Sequence, residues 1–258
     1  IGELSVQQTG TANTFAYNYW CSPVGNNSVS SGNEDNRVDL IDGSTGLTSS
    51  SNALFTSAYD GASSPTSLTI SRRWLYSYVV SDQYADWIVL NETSSILPGL
   101  GFTMKGIGGG GQLYDFRGKA NSGTITNSIL EDNFTLIGNP YPSAIDALLL
   151  IHDPDNTNIA TSPGPPEYAP TTTGVLYYWE QTPTTHNTTD YVGGYGAYTI
   201  SSEGVETFSF PTFYGYDDQG NAVPTPPGPN PTKVARRYIP VGQGFMVEGA
   251  TGSGSNTV

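Results

Sequence analysis

The sequence predicts an all-β fold, a β-sandwich or jelly-roll-like arrangement of two related halves with one short helix. The first observation is the composition: among 258 residues are 31 Gly, 18 Pro and 17 Tyr, and only 12% are charged. Residues that favour helices are correspondingly scarce. The second is that apolar and aromatic residues alternate in short runs between turn residues, as half-buried strands do. The third is that the same motifs recur in the same order in both halves.

The charge balance limits the classes of partner. Nine Lys and Arg residues stand against 23 Asp and Glu residues, and the net charge is −14. A nucleic-acid-binding protein needs a basic face to neutralise phosphates, so we expect no nucleic-acid partner. No run of 18 apolar residues occurs, so we expect no membrane insertion. The only cysteine, Cys21, cannot form an internal disulfide, and we expect a buried thiol.

The first half is predicted to span residues 1–122. Phe15, Tyr17 and Tyr19 alternate with other residues and predict a strand over 14–20. An edge strand is expected within residues 1–12, and the Ser-, Asn- and Gly-rich residues 26–67 indicate a long decorated loop region. Further strands are expected at 72–80, where Trp74, Tyr76, Tyr78 and Val80 alternate, and at 84–90, 98–105 and 112–117.

The second half is predicted to span residues 123–258, and one fused unit is the alternative to two separate domains. Residues 153–173 are rich in Pro and Thr, and residues 223–232 are polyproline-like. Gly- and Tyr-rich sequence occupies 191–200. The predicted strands are 123–130, a strand that leads from Phe134 into Gly138, 175–180, 205–210, 234–239 and 244–248.

A proline-containing corner joins the strand from Phe134 to the single predicted helix. The segment consists of Gly138, Asn139, Pro140, Tyr141, Pro142 and Ser143, with Asp146 three residues further on. Pro140 and Pro142 have no backbone N–H to donate, so the hydrogen-bond ladder of the sheet cannot continue through them. Ser143 is a suitable N-cap, with Asp146 close to a capping-box residue, for a helix over about 143–152. We interpret this corner as a packing device, in which Tyr141, Ile145 and Leu149 are buried; a ligand site is the alternative.

The predicted duplication is based on matched motifs. Gly99-x-Gly101-Phe102 corresponds to Gly242, Gly244 and Phe245 in a Gly-x-Gly-Phe run, and each run follows a proline, Pro98 or Pro240. Phe15 stands eight residues before Pro23, as Phe134 does before Pro142, and Leu75-Tyr76 matches Leu176-Tyr177. We expect Phe102 and Phe245 to be equivalent. We interpret the glycines as a bulge that leads into a half-buried strand.

Several of these segments resemble a known group of proteins. The segment GNPYPSAIDA at 138–147 resembles one that recurs in surface proteins of Bacteroidota exported by the type nine secretion system. In the same order, YNYWCSPVG at 17–25, LPGLGFTMKG at 97–106, YDFRGKANSG at 114–123, LYYWE at 176–180 and IPVGQGFMVEG at 239–249 resemble the same group. The resemblance implies export and an extracellular surface role, and it implies no catalytic residues. Cys21 departs from the pattern, which has a small hydroxyl residue there. The pattern also continues into a further strand after Val258.

The residues offer little catalytic or metal-binding chemistry. No serine elbow, HExxH or Cys/His metal spacing occurs, so we expect no enzyme and no cofactor. His152 stands beside Asp153 and could bind a metal or act as a base, but a helix-end histidine is the simpler interpretation. Calcium remains an alternative at two oxygen-rich segments, 33–36 and 153–158, although neither forms a complete EF-hand loop.

We therefore predict a non-enzymatic extracellular structural protein, a surface or matrix component and a candidate self-assembling filament subunit. Its expected partners are copies of itself or other surface proteins. In the self-assembly hypothesis, Ile1, Leu4 and Val6 fill the groove of a neighbouring copy; the alternative is that residues 1–11 fold back onto their own sheet. The rival function is a carbohydrate-binding adhesin module of a larger secreted protein, in which Tyr and Trp rings stack on glycans; core packing of these rings is the alternative.

Overall fold

The computed structural model describes most of the chain. The described residues are 2–11, 13–28, 30–46, 49–64, 67–108, 112–153, 156, 159–160, 167–168, 171–217, 219–223 and 230–258.

The predicted all-β fold is confirmed. The strands are β1 (Leu4–Thr9), β2 (Tyr17–Cys21), β3 (Val24–Gly25), β4 (Ile41–Ser44), β5 (Ser50–Asn52), β6 (Leu54–Thr56), β7 (Ala62–Ser64), β8 (Ser67–Ser71), β9 (Tyr76–Ser77), β10 (Ile88–Val89), β11 (Gly101–Lys105), β12 (Leu113–Ala120), β13 (Ser128–Leu130), β14 (Phe134–Gly138), β15 (Ile145–Asp146), β16 (Ile159–Ala160), β17 (Glu167–Tyr168), β18 (Leu176–Gln181), β19 (Val192–Ile200), β20 (Glu206–Ser209), β21 (Tyr214–Tyr216), β22 (Ala222–Val223), β23 (Tyr238–Ile239), β24 (Gly244–Glu248) and β25 (Ser255–Thr257). The described helix α1 is Ala147–Ile151, and 3-10 turns occupy Val38–Leu40, Arg72–Trp74, Tyr84–Asp86 and Thr188–Asp190.

Each half is built around an antiparallel sheet with the same central pairing. In the first half the strand order is β10-β9-β11-β2, and in the second it is β14-β24-β18-β19-β21-β22, with β20 also paired to β19. The flanking strands correspond as well. In the first half, β1 precedes the central sheet in the chain and pairs with β12, which follows that sheet. In the second half, β13 precedes the central sheet and pairs with β25, which follows it. The residues that link the halves, 121–127, lie between β12 and β13.

The strand registers show which residues are equivalent. Phe102 faces Trp20 and Phe245 faces Ile137, and both phenylalanine side chains are completely buried. One position later, Thr103 faces Tyr76 as Met246 faces Tyr177, so Tyr76 and Tyr177 correspond as the sequence motifs predict.

One part of the sequence alignment needs a correction of two residues. At the far end of the ladders, Lys105 faces Tyr17 and Glu248 faces Phe134, so Tyr17 rather than Phe15 is the counterpart of Phe134. Pro23 then corresponds to Pro140 instead of Pro142. The residues before these prolines agree, because Ser22 Oγ and Asn139 Oδ1 each accept a hydrogen bond from the backbone N–H two residues on.

The two halves contact each other reciprocally. The backbone N–H of Cys21 donates to Gly242 O at 2.9 Å, and the equivalent N–H of Gly138 donates to Gly99 O at 3.0 Å. Gly99 and Gly242 both have positive φ, 85° and 78°, and each occupies a turn instead of the predicted bulge. Equivalent residues of the two halves thus form the same hydrogen bond in both directions, as in an interface with two-fold symmetry.

The proline corner is organised by one buried amide. Asn139 is completely buried, and its Nδ2 donates to Ser143 O, Ile239 O and Pro240 O at 2.8, 3.2 and 3.1 Å. Tyr141 is half-buried, less than expected, because its ring lies near the surface and its hydroxyl donates to Gly123 O at 2.6 Å.

The helix is shorter than predicted. It begins at Ala147, and Asp146 instead of Ser143 is the N-cap, with Oδ1 accepting from Leu148 N at 3.0 Å. Residues 145–146 form β15, which pairs with β23, and this pairing delays the helix start. The expected burial of Leu149 is wrong, since its side chain is 68% exposed, whereas Ile151 packs in the second core.

The N-terminal and C-terminal strands both pair within the chain. Leu4 and Val6 lie in β1, pair with Gly118 and Phe116, and pack against the first core. This is the folded-back arrangement that the sequence left as an alternative; Ile1 lies outside the described residues. Val258 exchanges two backbone hydrogen bonds with Asn127. Val258 therefore continues the pairing of β25 with β13 as far as Asn127.

Three predicted strands are much shorter in the structure. Residues 72–74 form a 3-10 turn and Val80 has a φ of 50°, so only Tyr76–Ser77 of the predicted strand 72–80 joins the sheet. The strands predicted at 84–90 and 234–239 reduce to β10 and β23. In the segment 72–80, Trp74, Tyr76 and Tyr78 alternate because they share one face, although most of the segment is not a strand.

Candidate functional site: an aromatic cleft between the two halves

A cleft of about 620 Å³ opens between the two halves. Thirteen of its 17 lining residues are aromatic, and none of the 17 is charged: Tyr17, Tyr19, Trp74, Tyr76, Tyr78, Tyr84, Ala85, Trp87, Thr103, Phe134, Tyr177, Trp179, Tyr191, Tyr195, Tyr216, Gly220 and Met246. We call this site the aromatic cleft. Its volume lies in the range of small-molecule sites.

The strand geometry explains why so many rings converge. Successive side chains of a strand point to opposite faces, so Tyr17 and Tyr19 of β2 share one face, as Tyr177 and Trp179 of β18 do. The equivalent positions of the two halves contribute together: Tyr17 with Phe134, Tyr76 with Tyr177, and Thr103 with Met246. The cleft is therefore a joint feature of the two halves.

Contacts between rings hold the walls in place. The hydroxyls of Tyr19 and Tyr195, from different halves, lie 2.6 Å apart, and the Tyr195 ring also packs on Trp179 with centroids 5.0 Å apart. The ring of Tyr84 lies on the backbone of Gly220, where an added Cβ would be 2.1 Å from the ring. Gly220 also has a φ of 82°. The rings are thus positioned before any ligand arrives.

Some polar groups of the cleft are engaged and others remain available. Tyr177 OH donates to Glu248 Oε2 at 2.9 Å, and Trp179 Nε1 donates to Gln181 Oε1 at 2.9 Å. Within the described residues, the side chains of Tyr76, Tyr84 and Trp87 form no hydrogen bond. Burial raises the pKa of Tyr84, so its hydroxyl stays protonated at neutral pH. These three residues supply donors for a polar ligand.

A buried lysine supports the inner end of the cleft. Lys105 Nζ lies 3.7 Å from the ring centroid of Trp74 and 4.7 Å from those of Tyr17 and Tyr191, and it donates to Tyr191 OH at 2.5 Å. Burial lowers the pKa of Lys105 to about 7, with a smaller opposing effect from Asp60. The ring faces favour the cationic form. Lys105 lies behind the lining rings and links β11 of the first half to the second half.

His186 completes this support. Its ring stacks on Trp74 with a centroid distance of 5.1 Å and an interplanar angle of 10°. Its Nε2 lies 2.9 Å from Asp60 Oδ1, and its Nδ1 lies 3.4 Å from Lys105 Nζ. His186 therefore fastens the loop before β19 to the first half.

The residues singled out from the sequence lie outside the aromatic cleft. The corner residues 138–143 and Asp146 organise the second half, and Phe245 is in its core. Gly242 and Gly244 lie where the halves touch and border a different cavity. His152 Nε2 contacts Ile200 O at 2.8 Å, which is a structural contact. The sequence suggests Tyr and Trp as sugar-stacking groups, but it contains no local signal that distinguishes the rings of the cleft from those of the core.

The calcium alternatives gain no geometric support from the described residues. In that part of the chain, no group of three or more His, Cys, Asp or Glu side chains could hold a metal ion. At 33–36, Asn33 is paired with Ser122, and Asp35 accepts from Ser95. Part of 153–158 lies outside the described residues.

Comparison with known proteins places the chain by family. The family model with the description "Domain of unknown function (DUF8693)" matches residues 46–258, which is most of the chain. No curated protein matches, and no solved structure matches. Among the described residues, no helix is long and apolar enough to span a membrane.

Proposed function

We propose a function for this chain, which belongs to the DUF8693 family: it is a non-enzymatic, extracellular carbohydrate-binding module. The observation that carries the proposal is the aromatic cleft, with its 13 aromatic lining residues and no charged one. Such a surface suits a ligand that is uncharged, has flat apolar faces and carries polar groups at its edges.

A neutral pyranose chain has these properties. Its C–H faces pack on aromatic rings, and its hydroxyls accept from Tyr O–H and Trp N–H groups. Tyr76, Tyr84 and Trp87 combine a ring with an uncommitted donor in the described structure. The lining residues include no Asp or Glu, whereas most glycosidases place a pair of carboxyl groups beside the scissile bond, and this favours binding over hydrolysis.

The extracellular setting is supported by the composition and by the resemblance to exported Bacteroidota surface proteins. A surface or matrix component that carries a glycan-binding module would join the structural and the adhesive interpretations of the sequence. We keep self-association as a separate hypothesis, and the pairing of β1 with β12 means that Leu4 and Val6 would have to leave their own sheet to bind a neighbour.

Glycan binding tests the proposal directly. We expect the full chain to bind members of a panel of neutral oligosaccharides in a glycan array and by calorimetry, and Trp87→Ala to weaken that binding at least about tenfold, as for loss of one stacked ring and one hydrogen bond. Phe210→Ala is the matched control, because Phe210 is 55% exposed and lies outside the cleft. Binding to no neutral glycan, or equal binding by Trp87→Ala and the unmodified chain, would refute the proposal.

A further inference from the structure

A second cavity, of about 710 Å³, lies across β2 and β18 from the aromatic cleft. The two share Tyr17, Tyr19 and Trp179, but the second cavity also contacts Asn18 and Trp20, which alternate with the two tyrosines along β2. We call it the cationic cavity, because Lys233 and Arg236 line it.

These two cations differ from the other seven in the chain. All nine Lys and Arg residues lie in the described part of the structure. Four arginines pair with carboxylates: Arg37, Arg72, Arg117 and Arg237. Arg73 and Lys119 donate to backbone carbonyls, and Lys105 is held by its aromatic rings.

Within the described residues, the side chains of Lys233 and Arg236 form neither an ion pair nor a hydrogen bond. The chain has a net charge of −14, and its two cationic side chains without a fixed partner border the same cavity. An acidic chain attracts few anions except where such a local positive region exists. The cavity is therefore suited to a ligand that carries negative charge.

One carboxylate also lines the cavity, but its hydrogen-bonding capacity is largely used. Glu180 is 8% exposed, and it accepts from Thr232 N, Thr232 Oγ1 and Lys233 N at 2.9, 3.1 and 3.1 Å. Lys233 is exposed as a residue, but partial desolvation still lowers its pKa, and Glu180 opposes this only in part. A bound anion would supply the missing counter-charge.

The other residues that line the cavity indicate which class of ligand carries the negative charge. Tyr238 is 63% exposed, with the Arg237 guanidinium 5.6 Å from its ring centroid, and the amide of Gln8 has no hydrogen bond within the described residues. An exposed ring and a free amide match the face and the hydroxyls of a sugar, whereas the two cations match a carboxylate.

We propose that the cationic cavity binds an acidic carbohydrate through its carboxylate. Arg236 and Lys233 hold the carboxylate, Tyr238 packs on the sugar ring, and Gln8 binds a hydroxyl. This site is distinct from the aromatic cleft and does not depend on the neutral-glycan function proposed above.

The test compares ligands that differ in the charge of their carboxyl groups. The full chain is titrated by calorimetry with an oligogalacturonate, with the methyl ester of the same oligosaccharide, and with a sialylated lactose; the last distinguishes a uronate from a sialate source. We expect at least one of the two acidic sugars to bind, and the acid form to bind about tenfold or more tightly than its neutral form, with an advantage that decreases as salt is added.

Variants locate the binding. Arg236→Gln combined with Lys233→Gln should abolish the preference for the acidic sugar, and Arg73→Gln is the control that removes a positive charge elsewhere. Both positions in the double variant are exposed and unpaired, so circular dichroism should show an unchanged fold. Trp87→Ala should leave acidic-sugar binding unchanged, which separates this proposal from the first. Absence of acidic-sugar binding, an undiminished preference in the double variant, or equal binding of a polyglutamate peptide would overturn the proposal.

Discussion

Replacing Asn139 by alanine should destabilise the whole second half. The side chain is completely buried and forms four hydrogen bonds, three from Nδ2 to carbonyls and one from Tyr141 N to Oδ1 at 2.9 Å. At about 1 kcal/mol for each neutral bond, and with water able to reach the carbonyls of the exposed Ser143 and Pro240, the loss is about 2–4 kcal/mol. For a chain of this size that corresponds to a fall in Tm of roughly 5–15 °C.

The measurement is urea unfolding monitored by Trp fluorescence, with the m-value as the check that the unfolding mechanism is unchanged. Ser143→Ala is the control, because Ser143 is exposed and only its backbone carbonyl takes part. Asn139→Asp keeps the shape but turns an oxygen towards three carbonyls, so it should destabilise at least as much as alanine does. A loss below about 1 kcal/mol for Asn139→Ala would refute the view that this amide organises the corner.

Two further predictions concern the helix and the buried lysine. Ile151→Ala should lower the free energy of unfolding by about 2–4 kcal/mol, because Ile151 is 7% exposed in the core. Leu149→Ala should lower it by less than about 0.5 kcal/mol, because Leu149 is 68% exposed. Similar losses for the two variants in urea unfolding would contradict the observed helix orientation. The pKa of Lys105 is lowered from 10.5 to about 7, so between these values the unfolded chain binds more protons and stability should rise with pH from about 7 towards 10. Tyrosines with raised pKa values oppose this above about 10. Lys105→Met should reduce the rise in the free energy of unfolding between about pH 7 and 10. An unchanged dependence of stability on pH would contradict the assignment of this rise to Lys105.

The strands that were predicted well are those in which local pattern and tertiary environment agree. In β11 and β24, a Gly-x-Gly-Phe run leads into a strand in both halves, since glycine at positions 99 and 242 permits positive φ whatever surrounds it. The strand predicted at 72–80 is mostly wrong, because residues can alternate along one face without forming a paired strand. Trp74, Tyr76 and Tyr78 alternate, but only Tyr76–Ser77 forms a strand.

The start of the helix is a second feature that the local sequence alone does not determine. Ser143 and Asp146 are both acceptable N-caps by residue type. The choice is made by residues about 90 positions away, because β15 pairs with β23 and Arg237 forms two hydrogen bonds, of 2.8 and 2.7 Å, with the Asp146 carboxylate. No local signal contains that information.

By itself the sequence determined the all-β class, the matched order of motifs and the positions at which the chain must turn, since these depend on composition, alternation and glycine or proline backbone preferences. The tertiary structure alone decided where the aromatic rings face. Tyr19 meets Tyr195 across 176 positions, and Tyr17, Tyr76 and Tyr177 share a cleft only because the two halves pack together. An alternating pattern specifies that rings share a face, whereas burial in a core or exposure in a cleft depends on what the other half places opposite them.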